Sequence, residues 1–125
     1  MDSAGAGASD GRFSVTGEWR GEVAVLALSG ELDHDTAEPL REALAEAVAQ
    51  RPARIVVDCG ELGFCDSTGL NVLLHARLEA QEAGCTVEVA ALRQPVARMF
   101  EITGAHGVFR VHADLDAALA GGHPA

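Results

Sequence analysis

Apolar side chains fall along this chain in two rhythms: short aliphatic and β-branched blocks, and longer stretches repeating every three or four positions. Arg12 to Trp19 and Glu22 to Ser29 read as strands joined in a hairpin at Arg20-Gly21. The second strand is apolar almost throughout (Val-Ala-Val-Leu-Ala-Leu), the pattern of a strand covered on both faces. Gly30-Glu31-Leu32-Asp33-His34 breaks the pattern. Asp35 or Thr36 then offers a helix cap, and Glu38 answers Asp35 at capping-box spacing. Pro39 falls within the first turn, where proline is best tolerated. Ala37, Leu40, Leu44 and Val48 mark one stripe of that helix, and Arg51-Pro52 ends it.

Ile55 to Asp58 predicts a short buried strand and Cys59 to Cys65 a loop. Leu70, Leu73, Leu74 and Leu78 then predict a helix running from Asp66-Ser67 to Ala83-Gly84. Cys85 to Ala91 alternates as a strand. Pro95 opens a third helix, which carries Val96, Met99, Phe100 and Ile102 and stops at Gly104. Val108 to Val111 is a last strand, and Asp114 caps a closing helix through Leu115, Ala118 and Leu119. This order predicts an α/β domain: one mixed, mostly parallel sheet with about four helices packed against it. Met1 to Gly11 predicts a flexible tail, residues 12–120 the domain, and 121–125 a loose end.

Composition narrows the picture. A chain of 125 residues holds one domain, and 48% apolar against 22% charged residues excludes disorder as its main description. The net charge of −10 repels phosphate backbones and anionic lipid, so direct nucleic-acid or membrane-surface binding is not expected. All nine basic residues are Arg, which excludes a catalytic lysine. Cys59, Cys65 and Cys85 lack metal-site spacing and read as small buried residues of a reducing compartment. No apolar run is long enough to span a bilayer and no signal pattern opens the chain, so the expected location is the cytoplasm.

Candidate chemistry is sparse. No phosphate-binding loop motif is present, and the five histidines are scattered without ligand spacing. No cofactor or metal is implied. A receiver-type phosphoacceptor domain has this length and alternation, but the lysine it needs is absent. The informative segment is Phe64-Cys65-Asp66-Ser67-Thr68-Gly69-Leu70, where strand, loop and helix start bring a carboxylate and a hydroxyl to the sheet end at which ligands usually bind. Asp66 or Ser67 serves as an N-cap in the plainest reading, while an exposed Ser67 hydroxyl at a helix N-terminus is open to modification. As a hydrolase nucleophile Ser67 lacks the G-x-S-x-G elbow.

Gly30-Glu31-Leu32-Asp33-His34-Asp35-Thr36-Ala37, followed after one helix and one strand by Phe64-Cys65-Asp66-Ser67-Thr68-Gly69-Leu70, resembles the anti-sigma factor antagonists, small bacterial STAS-domain proteins of the sporulation and general-stress type. Gln94 to Gly104 is similar to that family's third helix, and the resemblance runs from Arg12 to Leu119. It implies a partner switch. The unmodified protein binds an anti-sigma factor that is also an ATP-dependent serine kinase, and so frees a sigma factor. Phosphorylation of the first hydroxyl of the Asp-Ser-[Ser/Thr]-Gly motif, here Ser67, releases the antagonist, and a metal-dependent serine phosphatase restores it. The resemblance places Asp33 near the phosphosite and assigns Asp66, Thr68, Gly69 and Asn71 to the partner-binding surface, in a protein expected to be monomeric when free. Asn71 departs from the Gly of many relatives, which bears on partner choice.

Glu31, Asp33, Asp35, Glu38, Glu42 and Glu46 crowd one stretch in which Arg41 is the only base. They read as a solvated helix face and also as a negative patch that steers a basic partner. Two rival functions remain at this level, a STAS-type sensor for a nucleotide or other small ligand and a small serine hydrolase.

Overall fold

A computed structural model describes residues 11–121, so of the tails expected at 1–11 and 121–125, residues 1–10 and 122–125 lie outside the described residues, while Gly121 ends the closing helix. In chain order the elements are β1 (Phe13–Arg20), β2 (Val23–Leu32), α1 (Ala37–Ala49), β3 (Arg54–Cys65), α2 (Ser67–Glu82), β4 (Thr86–Ala90), α3 (Gln94–Thr103), a 3-10 turn at Ala105–Gly107, β5 (Val111–His112) and α4 (Leu115–Gly121). The strands lie side by side as β1-β2-β3-β4-β5. β1 runs antiparallel to β2 and every other pair is parallel, the mixed α/β sheet expected.

Helices cover both faces unequally. α1, α2 and α3 pack into one core with Leu26, Leu28, Ile55, Val57, Val87 and Val89, while α4 alone covers Val56 and Ala90 on the other face. Ile55, Val56 and Val57 have no exposed surface, which explains why this strand reads as unbroken apolar sequence. Burying one such side chain stabilises the fold by about 1.5–3 kcal/mol.

Four expectations are corrected. Cys59 to Cys65 is not a loop: β3 continues through it and pairs with a β2 that runs on to Leu32 (Gly30↔Leu62, Glu31↔Phe64, Leu32↔Cys65). Glycines at 30, 60 and 63 hid this alternation, and register shifts after Ala27 and Gly30 absorb the irregularity. Gly30 has φ +103°, and a Cβ there would lie 1.9 Å from the Arg12 carbonyl oxygen, so only glycine fits. The proposed Asp35–Glu38 capping box is absent; Thr36 is the N-cap residue, without a capping hydrogen bond from its own side chain. Val108 to Arg110 is not strand, because Phe109 turns inward against Phe100, with ring centroids 5.8 Å apart. Finally, Ile102 and Leu78 are 74% and 52% exposed rather than core.

Candidate functional site

The parallel strands β2 and β3 end together, and the Asp66 N–H donates to the Leu32 carbonyl at 3.0 Å. That hydrogen bond sets the turn after β2, which carries Asp33, beside the start of α2, which carries Ser67. Asp66 is extended (φ −98°, ψ −174°), and its Oδ1 accepts from the Gly69 N–H at 3.1 Å. Asp66, not Ser67, is therefore the cap. Its carbonyl accepts the Leu70 N–H at 3.0 Å and starts the helical ladder.

Ser67 consequently has nothing structural to do. It is exposed, and its hydroxyl makes no hydrogen bond among the described residues. The Ser67 and Thr68 amides, the first two of the helix, have no protein acceptor among the described residues and point positive charge outward. Asn71 is exposed one turn further on, on the same side of α2 as Ser67, and Thr68 is half-buried.

Gly69 behaves differently from the rest of the expected partner surface. It is buried, and a Cβ there would lie 2.6 Å and 2.7 Å from Leu32 side-chain carbons and 3.1 Å from Cys65 Sγ. Glycine is needed because α2 begins directly against Leu32; it offers no side chain to a partner.

Asp33 is more engaged than a turn position after an apolar strand suggests. Its Oδ1 accepts from the Asp35 N–H at 2.9 Å and the Thr36 N–H at 3.2 Å, and its Oδ2 accepts from Arg12 Nη1 at 3.0 Å. Its side chain keeps 18% exposure. Burial pushes its carboxyl up, but the Arg12 hydrogen bond, the Asp35 amide, the Arg12 charge and the Thr36 hydroxyl together hold it below its ordinary value. Thr36 completes the lock: its hydroxyl donates to the Glu31 carbonyl and accepts from the Asp33 N–H, both at 2.9 Å.

Arg12 is the residue that sequence reading missed. Its guanidinium also stands 4.0 Å from Glu31 and from Asp35, so the acidic stretch holds a second base besides Arg41. The antiparallel register Phe13↔Gly30 is what delivers it there. Phe64, on β3 three residues before Ser67, is 47% exposed. No imidazole or carboxylate hydrogen-bonds the Ser67 hydroxyl among the described residues, so the arrangement presents a hydroxyl without a base to activate it.

Elsewhere, Cys59, Cys65 and Cys85 are free and buried as expected. Burial raises all three thiols, and pushes Cys65 up to about 12. Among the described residues no group of three His, Cys, Asp or Glu could hold a metal ion, and no helix is long and apolar enough to cross a membrane.

Comparison with known proteins agrees with this geometry. The family described as "Mlab, STAS domain" matches residues 15–115. The anti-sigma-F factor antagonist RsfB of Mycobacterium tuberculosis is 35% identical over 101 residues, covering 79% of this chain and 80% of that protein. The crystal structure of an anti-sigma factor antagonist from Mycobacterium paratuberculosis superposes with a TM-score of 0.82 at 27% identity, covering 90% of this chain and 96% of that one. The Bacillus cell fate determinant SpoIIAA in its phosphorylated form shares the fold, with a TM-score of 0.69 at 23% identity over 87% of this chain and 99% of that one. The chain belongs to the STAS-domain family, among relatives that are anti-sigma factor antagonists.

Proposed function

We propose that this protein is an anti-sigma factor antagonist, a binding module rather than an enzyme, switched by phosphorylation of Ser67. The unmodified form binds an anti-sigma factor in the cytoplasm and frees its sigma factor. The observation that carries the reading is the Ser67 hydroxyl: exposed, unpartnered among the described residues and displaced from capping by Asp66. The similarity to RsfB, named for antagonism of an anti-sigma factor, supports the partner class.

The anti-sigma factor is also the kinase in this reading. Ser67 Oγ attacks the γ-phosphorus of ATP, the P–O bond to ADP breaks, and the hydroxyl proton leaves to a base of the kinase. Asp33, Asp66, Thr68 and Asn71 form the surface that the partner reads, and a metal-dependent serine phosphatase hydrolyses the ester to reset the switch. Gly69 contributes only by letting α2 approach Leu32.

The test is to incubate the protein with ATP and a candidate anti-sigma factor kinase, and to map phosphate by mass spectrometry. Phosphate at Ser67 is expected. Modification at Thr68 alone, or none with an active kinase, overturns the assignment.

A further inference from the structure

The sheet end opposite Ser67 carries three arginines around one cavity. Arg54 begins β3 and Thr86 begins β4; between them, the second half of α2 and the segment ahead of β5 lies a cavity of about 410 Å³. β5 is only two residues long and pairs with Val89 and Ala90 alone, so the first half of β4 is paired with β3 on one side and has no strand on the other.

Among the described residues Glu88 is the only carboxylate lining this cavity, and it is fully committed. Its Oε2 accepts from Arg54 Nε at 3.0 Å and from the Thr86 hydroxyl at 2.8 Å. Its Oε1 accepts from Arg54 Nη2 at 2.5 Å and lies 2.8 Å from His112 Nε2. Glu88 is thus committed to Arg54, Thr86 and His112 and pairs with neither Arg77 nor Arg110. Arg12, Arg20 and Arg41 are likewise ion-paired. Arg77 and Arg110, which also line the cavity, have no carboxylate partner among the described residues. Two uncompensated guanidinium groups therefore share a cavity in a chain whose net charge is −10. Beside them stand apolar walls, Val87 and the 42% exposed Val108.

We propose that this cavity binds a small organic phosphate monoester, with its dianion between Arg77 and Arg110 and its apolar body against Val87 and Val108. Two guanidinium forks match the oxygens and the double charge of a phosphate ester better than a single carboxylate does. Gln81, also on the wall, supplies an amide donor, and the volume falls in the ordinary range of small-ligand sites. Arg77 and Gln81 stand about 15–21 Å along α2 from Ser67, and Ser67 does not line the cavity, so its occupancy is independent of the partner-switch reading.

The probe is phenyl phosphate, titrated into the full chain in low-salt, phosphate-free buffer and followed by ¹H–¹⁵N NMR, with inorganic phosphate as the comparison. Saturable shifts at Gln81, Val87, Val108 and Arg110 are expected, with phenyl phosphate binding at least tenfold tighter than inorganic phosphate. The Arg77→Gln/Arg110→Gln variant should lose at least tenfold in affinity at unchanged Tm, since neither side chain is buried. Val108→Asn should weaken phenyl phosphate and leave inorganic phosphate unaffected. The proposal is overturned by an absence of saturable shifts, by binding that survives in the double arginine variant, by equal affinity for the two probes, or by indifference to Val108→Asn.

Discussion

Replacing Glu88 by Gln should cost the protein several kcal/mol at neutral pH, and that cost should shrink as the solution is acidified. Glu88 is 5% exposed, and the side chain of Arg54 only 12%. Burial pushes the Glu88 carboxyl up, but hydrogen bonds from Arg54, His112 and Thr86 and the Arg54 charge overwhelm it and hold the group at about 2, against an ordinary 4.5. The difference of about 2.5 units, at about 1.4 kcal/mol each, is on the order of 3 kcal/mol of stability. Because the folded value is depressed, this contribution is complete above the unfolded value of 4.5 and disappears as pH falls toward 2. Arg54 adds a second consequence: its Nη2 also donates to the Ala118 carbonyl at 3.0 Å, tying α4 to the sheet. Removing one partner of a buried pair costs about 3–5 kcal/mol, because the other charge stays buried. Urea denaturation of wild type and Glu88→Gln at pH 7, 4.5, 3 and 2 measures the difference, and every group common to both proteins cancels. A gap of about 3 kcal/mol at pH 7 closing to under about 1 kcal/mol at pH 2 is expected. A gap that holds constant to pH 2 would refute the reasoning, because it would mean that the charge of Glu88 is not what stabilises the fold.

Ser67→Ala should unfold within about 0.5 kcal/mol of wild type, since its hydroxyl caps nothing, should resist phosphorylation, and should bind the anti-sigma factor constitutively; urea melts and a kinase assay check this. Gly69→Ala should destabilise by about 1–3 kcal/mol in urea, as the new methyl meets Leu32 and Cys65 at contact distances no side chain tolerates. Asp33→Asn keeps an oxygen for the Asp35 and Thr36 amides and loses the charge facing Arg12, so it should leave the fold intact while weakening partner affinity or phosphorylation rate, read by calorimetry and kinase kinetics.

The sequence was most legible where packing obeys one period. Ile55 to Val57 lie wholly buried, and the helix stripe Ala37, Leu40 and Leu44 faces the core, both as their spacing predicts. It was least legible where glycine interrupts a strand. Gly30, Gly60 and Gly63 look like turn residues, but β2 and β3 continue past them, with Gly30 paired to Leu62 and with Gly60 and Gly63 at the two register shifts. Ile102 and Leu78 show the complementary failure, because an apolar residue at the right spacing carries no label saying whether something covers it. At the site, Asp66 was legible as a cap and Ser67 as its exposed neighbour. The Arg12–Asp33 pair was not, because it joins residues 21 apart through antiparallel strand register rather than through local spacing.

Whether Ser67 is a surface switch is decided by the affinity of unmodified and Ser67-phosphorylated protein for the anti-sigma factor, taken with the Tm of each. A phosphate on Ser67 gains about 0.3–1 kcal/mol from the open Ser67 and Thr68 amides, opposed by the adjacent Asp66 carboxylate. The fold should therefore keep its circular dichroism and melt within a few degrees of the unmodified protein. At the interface, a group of about −1.5 to −2 charge takes the place of a neutral hydroxyl, and a mismatch of about 3 kcal/mol weakens binding roughly a hundredfold. Affinity lost a hundredfold at nearly unchanged Tm is the predicted result. Unchanged affinity, or an affinity lost only because the phosphorylated protein has unfolded, would contradict the claim.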